Sequence, residues 1–202
     1  MHDIAIIGGG PGGYVCAIRA AQNGLSVALV EKDQLGGVCL NRGCMPTKAL
    51  AHTADVMEKA GHAAELGLVI PEVRLDFARV MARKDKVVAK LRGGVGLLLR
   101  RRKVDVFTGV GTLAGTRAVE ATAPDASITR IEARNIVIAT GSEPIAPRMF
   151  GHDGVNMLTS DDVLKLKELP ESVLIVGAGV IGCEFASIFR TFGCEVTVVD
   201  IM

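Results

Sequence analysis

The chain has 202 residues, of which 49% are hydrophobic and 22% are charged, with 23 basic and 22 acidic side chains. This hydrophobic fraction argues against an intrinsically disordered chain, and the formal net charge of +1 argues against a surface built for nucleic acid. No apolar run reaches the roughly 18 residues that cross a bilayer, and the N-terminus lacks the basic and apolar segments of a signal peptide. The sequence therefore predicts a globular, cytoplasmic protein with no membrane partner.

The N-terminal segment predicts a strand, a glycine-rich turn, a helix and a second strand. An apolar run at 4–7 precedes the motif G-x-G-x-x-G, formed by Gly8, Gly10 and Gly13, and a second apolar run ends at Glu31. In such a βαβ motif the first glycine permits a tight turn, the second lets the backbone approach a pyrophosphate, and the third lets the helix pack closely on the strand. The motif predicts a dinucleotide site, with Glu31 accepting a hydrogen bond from the adenosine ribose.

The same βαβ motif occurs again near the end of the sequence. Residues 4–31 align without a gap with residues 173–200, and eight of the 28 positions are identical. The positions equivalent to the three glycines and the acidic residue are Gly177, Gly179, Gly182 and Asp200. An acidic side chain at the end of the second strand repels a 2′-phosphate, so Asp200 favours NAD over NADP. Two complete copies make a chance glycine turn a poor explanation.

Between the two copies the pattern predicts helices first. One helix is expected over 46–60, with a proline near its start and Gly61 just past its end, and a longer helix over about 76–102. The basic run that closes the longer helix is interpreted as a solvated helix end rather than a nucleic-acid site, because cations there complement the helix dipole.

Strands follow these helices, and the elements together predict an α/β fold. Alternating segments near 104–110, 116–120 and 128–132 predict an antiparallel β-meander, and 135–139 predicts a buried strand. The predicted domains are a Rossmann-like nucleotide-binding domain with the meander at 1–145, a Pro- and Gly-rich linker at 146–171, and the start of a second Rossmann-like domain at 172–202.

Cys39 and Cys44 lie in the segment GGVCLNRGCMPTKAL, directly before the helix predicted from residue 46. A helix N-terminus and a neighbouring lysine such as Lys48 both stabilise a thiolate, so Cys44 is the better placed of the two. A disulfide can join them if the loop brings their Cα atoms within roughly 7 Å, and such a bond would be exchangeable. Two buried, reduced cysteines are the alternative interpretation.

The remaining cysteines are interpreted as small core or helix residues, namely Cys16, Cys183 and Cys194. The odd total of five cysteines does not fit a secreted disulfide framework. A zinc site needs a second ligand pair at suitable spacing, and the sequence offers none, so no metal is predicted.

Four motifs, in their order and spacing, resemble the flavin-dependent pyridine nucleotide-disulfide oxidoreductases: GGGPGGY, GGVCLNRGCMPTKAL, ATG at 139–141 and GAGVIGCE. The resemblance extends over essentially all 202 residues. Within that family, the form LNRGCMPTKAL is most similar to the members that oxidise dihydrolipoamide. Histidines matching the family's catalytic context are absent, so His2, His52, His62 and His152 are interpreted as surface or helix residues.

The resemblance implies one site for FAD and one for NAD. The residues implied at the FAD site are Gly8, Gly10, Pro11, Gly12, Gly13, Glu31, Lys32, Gly37, Val38, Cys39, Lys48, Gly111, Ala139, Thr140 and Gly141. Those implied at the NAD site are Gly177, Gly179, Val180, Ile181, Gly182, Glu184 and Asp200. Cys44 would stack on the isoalloxazine and Cys39 would exchange with the substrate. Lys48 and Glu184 would form an ion pair beside the flavin that joins the two domains.

The implied reaction is dihydrolipoamide plus NAD⁺ to lipoamide plus NADH, through a Cys39–Cys44 disulfide and FAD. The dithiol would be free or carried on a lipoyl domain. The alternatives are a related disulfide or mercuric reductase, or a nucleotide-binding fragment without redox chemistry. The resemblance further implies a truncated chain that lacks the dimerisation domain of a homodimeric family, binds FAD weakly and has no turnover alone.

Overall fold

The computed structural model describes residues 1–200, apart from the side chain of Arg148. The last two residues of the predicted second domain, Ile201 and Met202, lie outside the described residues. Within the described part of the chain, no helix combines the length and the hydropathy needed to cross a membrane.

Packing divides the chain into two compact units, each built from two separate segments. The first unit comprises residues 1–41 and 88–143, and the second comprises residues 42–87 and those from 144 onward. In chain order the strands and helices are β1 His2–Ile7, α1 Pro11–Gln22, β2 Val27–Glu31, α2 Gly37–Arg42, α3 Cys44–Gly61, α4 Phe77–Arg101, β3 Asp105–Thr108, β4 Val110–Leu113, β5 Ala118–Thr122, β6 Ile128–Ile138, α5 Ser160–Val163, β7 Ser172–Val176, α6 Val180–Phe192 and β8 Glu195–Val199.

The first unit is built on a six-stranded mixed sheet in the order β3-β2-β1-β6-β5-β4. β1 pairs in parallel with β2 on one side and with the second half of β6 on the other, and β2 pairs in parallel with β3. β5 pairs in antiparallel fashion with β4 and with the first half of β6. The helix α1 makes the crossover that parallel neighbours require, so the predicted α/β class is confirmed.

Both faces of the two central strands are buried, which explains their continuous apolar sequence. Ile6 and Leu29 pack on one face with residues of α1, α2 and α4, while Ile7 and Val30 pack on the other with β5 and β6. Each of these four side chains is at most 6% exposed. The end of β1 is therefore held rigidly from both sides.

The predicted helices and both βαβ motifs are confirmed, but two features of the predicted strands are wrong. The segment 104–110 is not the first strand of the meander, because it breaks at Gly109 into β3, parallel to β2, and β4, antiparallel to β5. The segments 128–132 and 135–139 belong to one strand, β6, which runs past the end of β5 and there pairs with β1. Ile138 is 63% exposed, so the end of this strand is not buried.

The second unit packs α3 and the start of α4 against α6. Phe185, Phe189 and Phe192 on α6 share one apolar cluster with Leu50 of α3 and with Leu164. Leu164 lies within the segment predicted as a linker, yet it is only 4% exposed. The strands β7 and β8 pair in parallel beside α6. The domain boundaries given above stay a prediction.

The short helix α5, in the same segment, is stabilised by its cap. Thr159 and Asp162 form a reciprocal capping box, in which the Asp162 carboxylate accepts hydrogen bonds from the Thr159 hydroxyl (2.6 Å) and backbone N–H (3.0 Å). His152 Nε2 also contacts Asp162 Oδ2 at 2.8 Å. The bonds from Thr159, followed by that from His152, hold the pKa of Asp162 far below its ordinary value of 3.8.

We predict that Gly13→Ala destabilises the first unit. A Cβ at Gly13 would lie 1.7 Å from the Gly8 carbonyl oxygen, so helix and turn must separate, at a cost of about 1–3 kcal/mol or more. The control is Gly94→Ala, in the interior of α4, where a Cβ meets nothing within 4 Å and alanine should stabilise by up to about 1 kcal/mol. Urea unfolding followed by circular dichroism measures both, and equal stabilities would contradict the assigned packing.

We predict that Asp162→Asn removes a pH-dependent part of the stability. Because folding lowers the pKa of Asp162, its contribution is present above pH 3.8 and is lost as the pH falls towards the folded value. The variant should be less stable by about 1 kcal/mol near pH 7, and the difference should shrink below pH 4. Asp55→Asn, at an exposed position on α3, is the control. A difference that is constant with pH would rule out this origin.

Candidate functional site

The first glycine motif forms a tight turn between β1 and α1, called the fingerprint turn (residues 8–13). Gly8 has φ +106°, and a Cβ there would lie 2.1 Å from the Ala139 carbonyl oxygen, so no other residue fits. α1 begins at Pro11 after Gly10, which offers no side-chain cap to the helix N-terminus. The uncapped N–H groups of such a helix end bind phosphate.

The second motif repeats this backbone in the second unit. Gly177 has φ +110°, and a Cβ at Gly182 would lie 1.9 Å from the Gly177 carbonyl oxygen. Gly179 precedes α6, again without a side-chain cap. Val180 and Ile181, the first residues of α6, are 83% and 61% exposed. The turn and packing roles predicted for the first and third glycines are thus confirmed in both copies.

Glu31, at the end of β2, braces the fingerprint turn. Its Oε2 accepts a hydrogen bond from the Gly9 N–H at 2.6 Å, and its Oε1 accepts one from the Asp33 N–H at 2.8 Å. The sequence does not predict this hydrogen bond between Glu31 and the turn. The predicted hydrogen bond between Glu31 and the adenosine ribose stays a prediction. The neighbouring Lys32 is exposed and lies 3.3 Å from Glu143.

The cysteine segment starts directly against the fingerprint turn. The Gly36 N–H donates a hydrogen bond to the Gly9 carbonyl at 2.8 Å. Gly37 has φ +60°, and a Cβ on it would lie 2.6 Å from the Gly10 Cα, so only glycine permits this approach. Val38 and the half-buried Cys39 follow as the second and third residues of α2.

Cys44 is exposed and is the first residue of α3, in the second unit. One turn further along α3, Lys48 forms the predicted ion pair with Glu184 of α6, whereas its place beside a flavin and between two domains stays a prediction. Both helices belong to the second unit. Because Cys39 belongs to the first unit and Cys44 to the second, their disulfide stays a prediction.

The segment between the cysteines contains two side-chain contacts that the sequence prediction lacks. Asn41 donates hydrogen bonds to backbone carbonyls of the preceding turn. Arg42 Nε lies 3.4 Å from Asp161 Oδ2 on α5. The Asn41 partners are four to seven residues earlier in the chain, whereas the Arg42 partner is more than a hundred residues away.

Four further predicted residues, Gly111, Ala139, Thr140 and Gly141, lie near the carboxyl edge of the sheet in the first unit. A Cβ at Gly111 would lie 2.8 Å from Ile7 Cγ2, so β4 lies close over the end of β1. The Ala139 N–H donates to the Ile7 carbonyl at 2.8 Å, which places the segment containing Thr140 and Gly141 just beyond the fingerprint turn.

The other cysteines and the histidines have partners of their own. Cys194 is buried, which raises the pKa of its thiol, whereas Cys183 is exposed and contacts the Ala178 carbonyl. The histidine contacts are His2–Asp105, His62–Glu65 and His152–Asp162. No group of three or more His, Cys, Asp or Glu side chains within residues 1–200 could hold a metal ion.

The chain is similar to proteins of one family over its whole length. The family model described as pyridine nucleotide-disulphide oxidoreductase matches residues 2–202. A dihydrolipoyl dehydrogenase from Chlorobaculum parvum is 44% identical over 202 residues, covering 100% of this chain and 43% of that protein. One from Acholeplasma laidlawii is 41% identical, covering 100% of this chain and 60% of that protein.

Solved structures give the same result for the fold. LpdA from Mycobacterium tuberculosis matches with a TM-score of 0.92 at 29% identity, covering 98% of this chain and 44% of LpdA. The HOCl-induced flavoprotein disulfide reductase RclA from Escherichia coli matches with a TM-score of 0.82 at 32% identity, covering 97% of this chain and 41% of RclA. The chain spans about 43% of the length of the first curated relatives it matches.

We predict that the Lys48–Glu184 pair contributes little to stability. The Lys48 side chain is 62% exposed, so a double-mutant cycle of Lys48→Met and Glu184→Gln should give a coupling free energy of about 0.2–1 kcal/mol. The Arg130–Glu120 pair on β5 and β6 is the control, at 3.2 Å and 55% and 37% exposed. A coupling several times larger than the control would assign the pair a structural role instead.

Proposed function

The chain belongs to the pyridine nucleotide-disulphide oxidoreductase family, and on that premise we propose that it carries the FAD site and redox cysteines of a flavin-dependent disulfide oxidoreductase. One observation carries the proposal: the helix that bears Cys39 begins where Gly37 meets Gly10 of the fingerprint turn. The helix of a cysteine with the family's spacing therefore begins in contact with the turn that would bind a dinucleotide.

The residues of the first unit fit the phosphates and ribose of FAD. Cβ atoms at Gly8, Gly13 or Gly37 would collide with backbone, so glycine at these positions lets the backbones of the fingerprint turn, the start of α2 and the segment at Ala139 approach closely. The α1 N-terminus would hold the pyrophosphate, and Glu31 the adenosine ribose. A bound flavin supplies a carrier of two electrons between a dithiol and a nicotinamide.

The second copy of the motif supports a site for NAD. Gly177 and Gly182 give it the same turn and helix contact, and α6 has the same uncapped start. Asp200, the residue after β8, would accept hydrogen bonds from a ribose with a free 2′-hydroxyl and repel a 2′-phosphate.

We assign dihydrolipoamide as the dithiol substrate, on the basis of relatives named dihydrolipoyl dehydrogenase at 41–46% identity. A substrate thiolate attacks the Cys39 sulfur of the Cys39–Cys44 disulfide, which forms a mixed disulfide and releases Cys44 as a thiolate. The second substrate thiolate attacks the mixed disulfide, releasing lipoamide. The two substrate thiols are thereby oxidised to one disulfide, and Cys39 and Cys44 are reduced to thiols. The overall reaction is dihydrolipoamide plus NAD⁺ to lipoamide, NADH and a proton.

The chain's own residues contribute charge and position to this exchange. Cys44 begins the 18-residue helix α3, whose N-terminus favours a negative sulfur. The ammonium group of Lys48, one turn further on, is held by Glu184 of α6, the helix that opens the proposed NAD cradle. The ion pair thus links α3, the helix of Cys44, to α6 within the second unit.

The half-reaction with lipoamide tests the function without a cofactor. The fully reduced chain, mixed with excess oxidised lipoamide, should form a Cys39–Cys44 disulfide and release dihydrolipoamide, as mapped by peptide mass spectrometry. Cys44→Ser and Cys39→Ser should each abolish this intramolecular bond, because a disulfide needs both sulfurs. Cys16→Ala, on α1, is the control and should leave it unchanged.

Two outcomes would contradict the proposal. If lipoamide forms no Cys39–Cys44 bond while oxidised glutathione does, the assigned substrate is wrong and a related disulfide reductase is favoured. If neither compound does so, and fluorescence titration detects no FAD binding, the chain is a nucleotide-binding fold without this redox chemistry.

A further inference from the structure

Asn41 lies between the two cysteines and donates hydrogen bonds to the turn at the start of α2, the helix of Cys39. Its amide Nδ2 is 3.4 Å from the carbonyl oxygen of Gln34, 3.1 Å from that of Leu35 and 3.0 Å from that of Gly37. The two amide N–H groups therefore serve three backbone acceptors of one short turn, called here the bridging turn (residues 34–37). No other residue type of this size offers two donors on one atom.

The orientation of this amide is fixed by its surroundings. Only the –NH₂ group can face three carbonyl oxygens, so Asn41 Oδ1 must point away from them. Oδ1 is buried and has no hydrogen-bond donor among residues 1–200. A buried acceptor without a donor is costly, so the bonds of Nδ2 outweigh that cost in holding the side chain.

The bridging turn in turn holds the fingerprint turn. The Gly36 N–H donates to the Gly9 carbonyl at 2.8 Å, and the Gly9 N–H donates to Glu31 at 2.6 Å. A Cβ on Gly9 would lie 3.0 Å from Leu35 Cδ2, so the Leu35 side chain also covers the turn. The bridging turn is thus the direct link between Asn41 and the backbone that would bind a pyrophosphate.

We propose that Asn41 is a positioning residue that fixes the phosphate-binding fingerprint turn relative to the helix of Cys39. The inference rests on the function proposed above and deepens it. Asn41 is two residues after Cys39 on α2, so one side chain sets both the helix that carries the thiol and the turn that would bind the cofactor's phosphates. Loss of its donors should loosen both at once.

We expect the fold to survive the loss of this amide, because the neighbouring residue anchors α2. Leu40, the neighbouring residue on α2, is 7% exposed and packs in the apolar cluster of the first unit with Ile6 and Leu29. Burial of Leu40 keeps α2 on the unit when the amide is changed, so the effect of Asn41 is on geometry rather than on folding. This separation makes the role testable by substitution.

The test compares Asn41→Leu with Asn135→Leu. Asn135, in the same unit, donates a single amide hydrogen bond to the Asp3 carbonyl at 3.3 Å and is the matched control. Asn41→Leu should weaken FAD binding at least about tenfold, because three carbonyls of the bridging turn lose their donor. It should also raise the rate of Cys39 alkylation about threefold or more relative to Cys44, as read by peptide mass spectrometry. The control should change neither quantity.

Asn41→Asp adds a second measurement, the pH dependence of FAD binding, which should not change if Asn41 has only a structural role. The introduced carboxylate, when ionised, has no hydrogen to donate, so its oxygens repel the three carbonyl oxygens. When protonated, it donates one hydrogen bond. The unfavourable surroundings raise its pKa, so FAD binding by this variant should recover as the pH falls from about 7 to about 5. Dividing by the native chain's affinity at each pH removes the contributions of other groups, and Asn41→Leu should show no recovery.

The outcomes separate this inference from the proposed function. Native-like FAD affinity and Cys39 alkylation in Asn41→Leu, or equal losses in Asn135→Leu, would overturn the role of Asn41 while leaving the function intact. Failure of the native chain to bind FAD would count against the function, and the Cys39 alkylation rate would still decide whether Asn41 positions α2. Circular dichroism of each variant identifies any that fails to fold, in which case the Asn41→Asp pH series decides.

Discussion

The rest of the site depends on one constraint, which is that backbone must meet backbone without side chains at the end of β1. Gly8 turns the chain with a positive φ, Gly13 packs its Cα against the Gly8 carbonyl, and Gly37 does the same against Gly10. Each of these contacts is too short for a Cβ atom. Because buried Ile6 and Ile7 hold β1 from both faces, the bare turn has a fixed position. The absence of Cβ atoms at these glycines would let a phosphate group approach the N–H groups of α1.

The two copies of the motif form the same turn but have different neighbouring residues. Gly9 in the first copy corresponds to Ala178 in the second. A Cβ at Gly9 would lie 3.0 Å from both Glu31 and Leu35, which crowd the first turn, and the second copy tolerates a methyl group at the equivalent position. Gly9, the extra glycine in GGGPGG, therefore leaves room for the Glu31 side chain and for Leu35 of the bridging turn.

The sequence predicts this much because its strongest signals are local. The glycine spacing, the apolar runs of β1 and β2 and the proline near the start of α3 each act within a few residues, and each is where it was expected. The errors arise where a distant partner decides. β6 is a single strand because its second half pairs with β1, over a hundred residues earlier. The chain breaks at Gly109 because β3 pairs in parallel with β2 whereas β4 pairs in antiparallel fashion with β5. Leu164 is buried by helices α3 and α6, which its own Pro- and Gly-rich segment cannot indicate.

The same distinction separates the residues of the site. Lys48 and Glu184 could be paired from sequence only through a family resemblance, since they are 136 positions apart. Asn41 could not be assigned in that way, because its partners are backbone atoms whose positions depend on how the bridging turn folds. A side chain that binds carbonyls rather than another side chain leaves no paired residue type to search for in the sequence. Its role follows from geometry alone: Asn41 holds the bridging turn, the bridging turn holds Gly9, and Gly9 is held from its other side by Glu31.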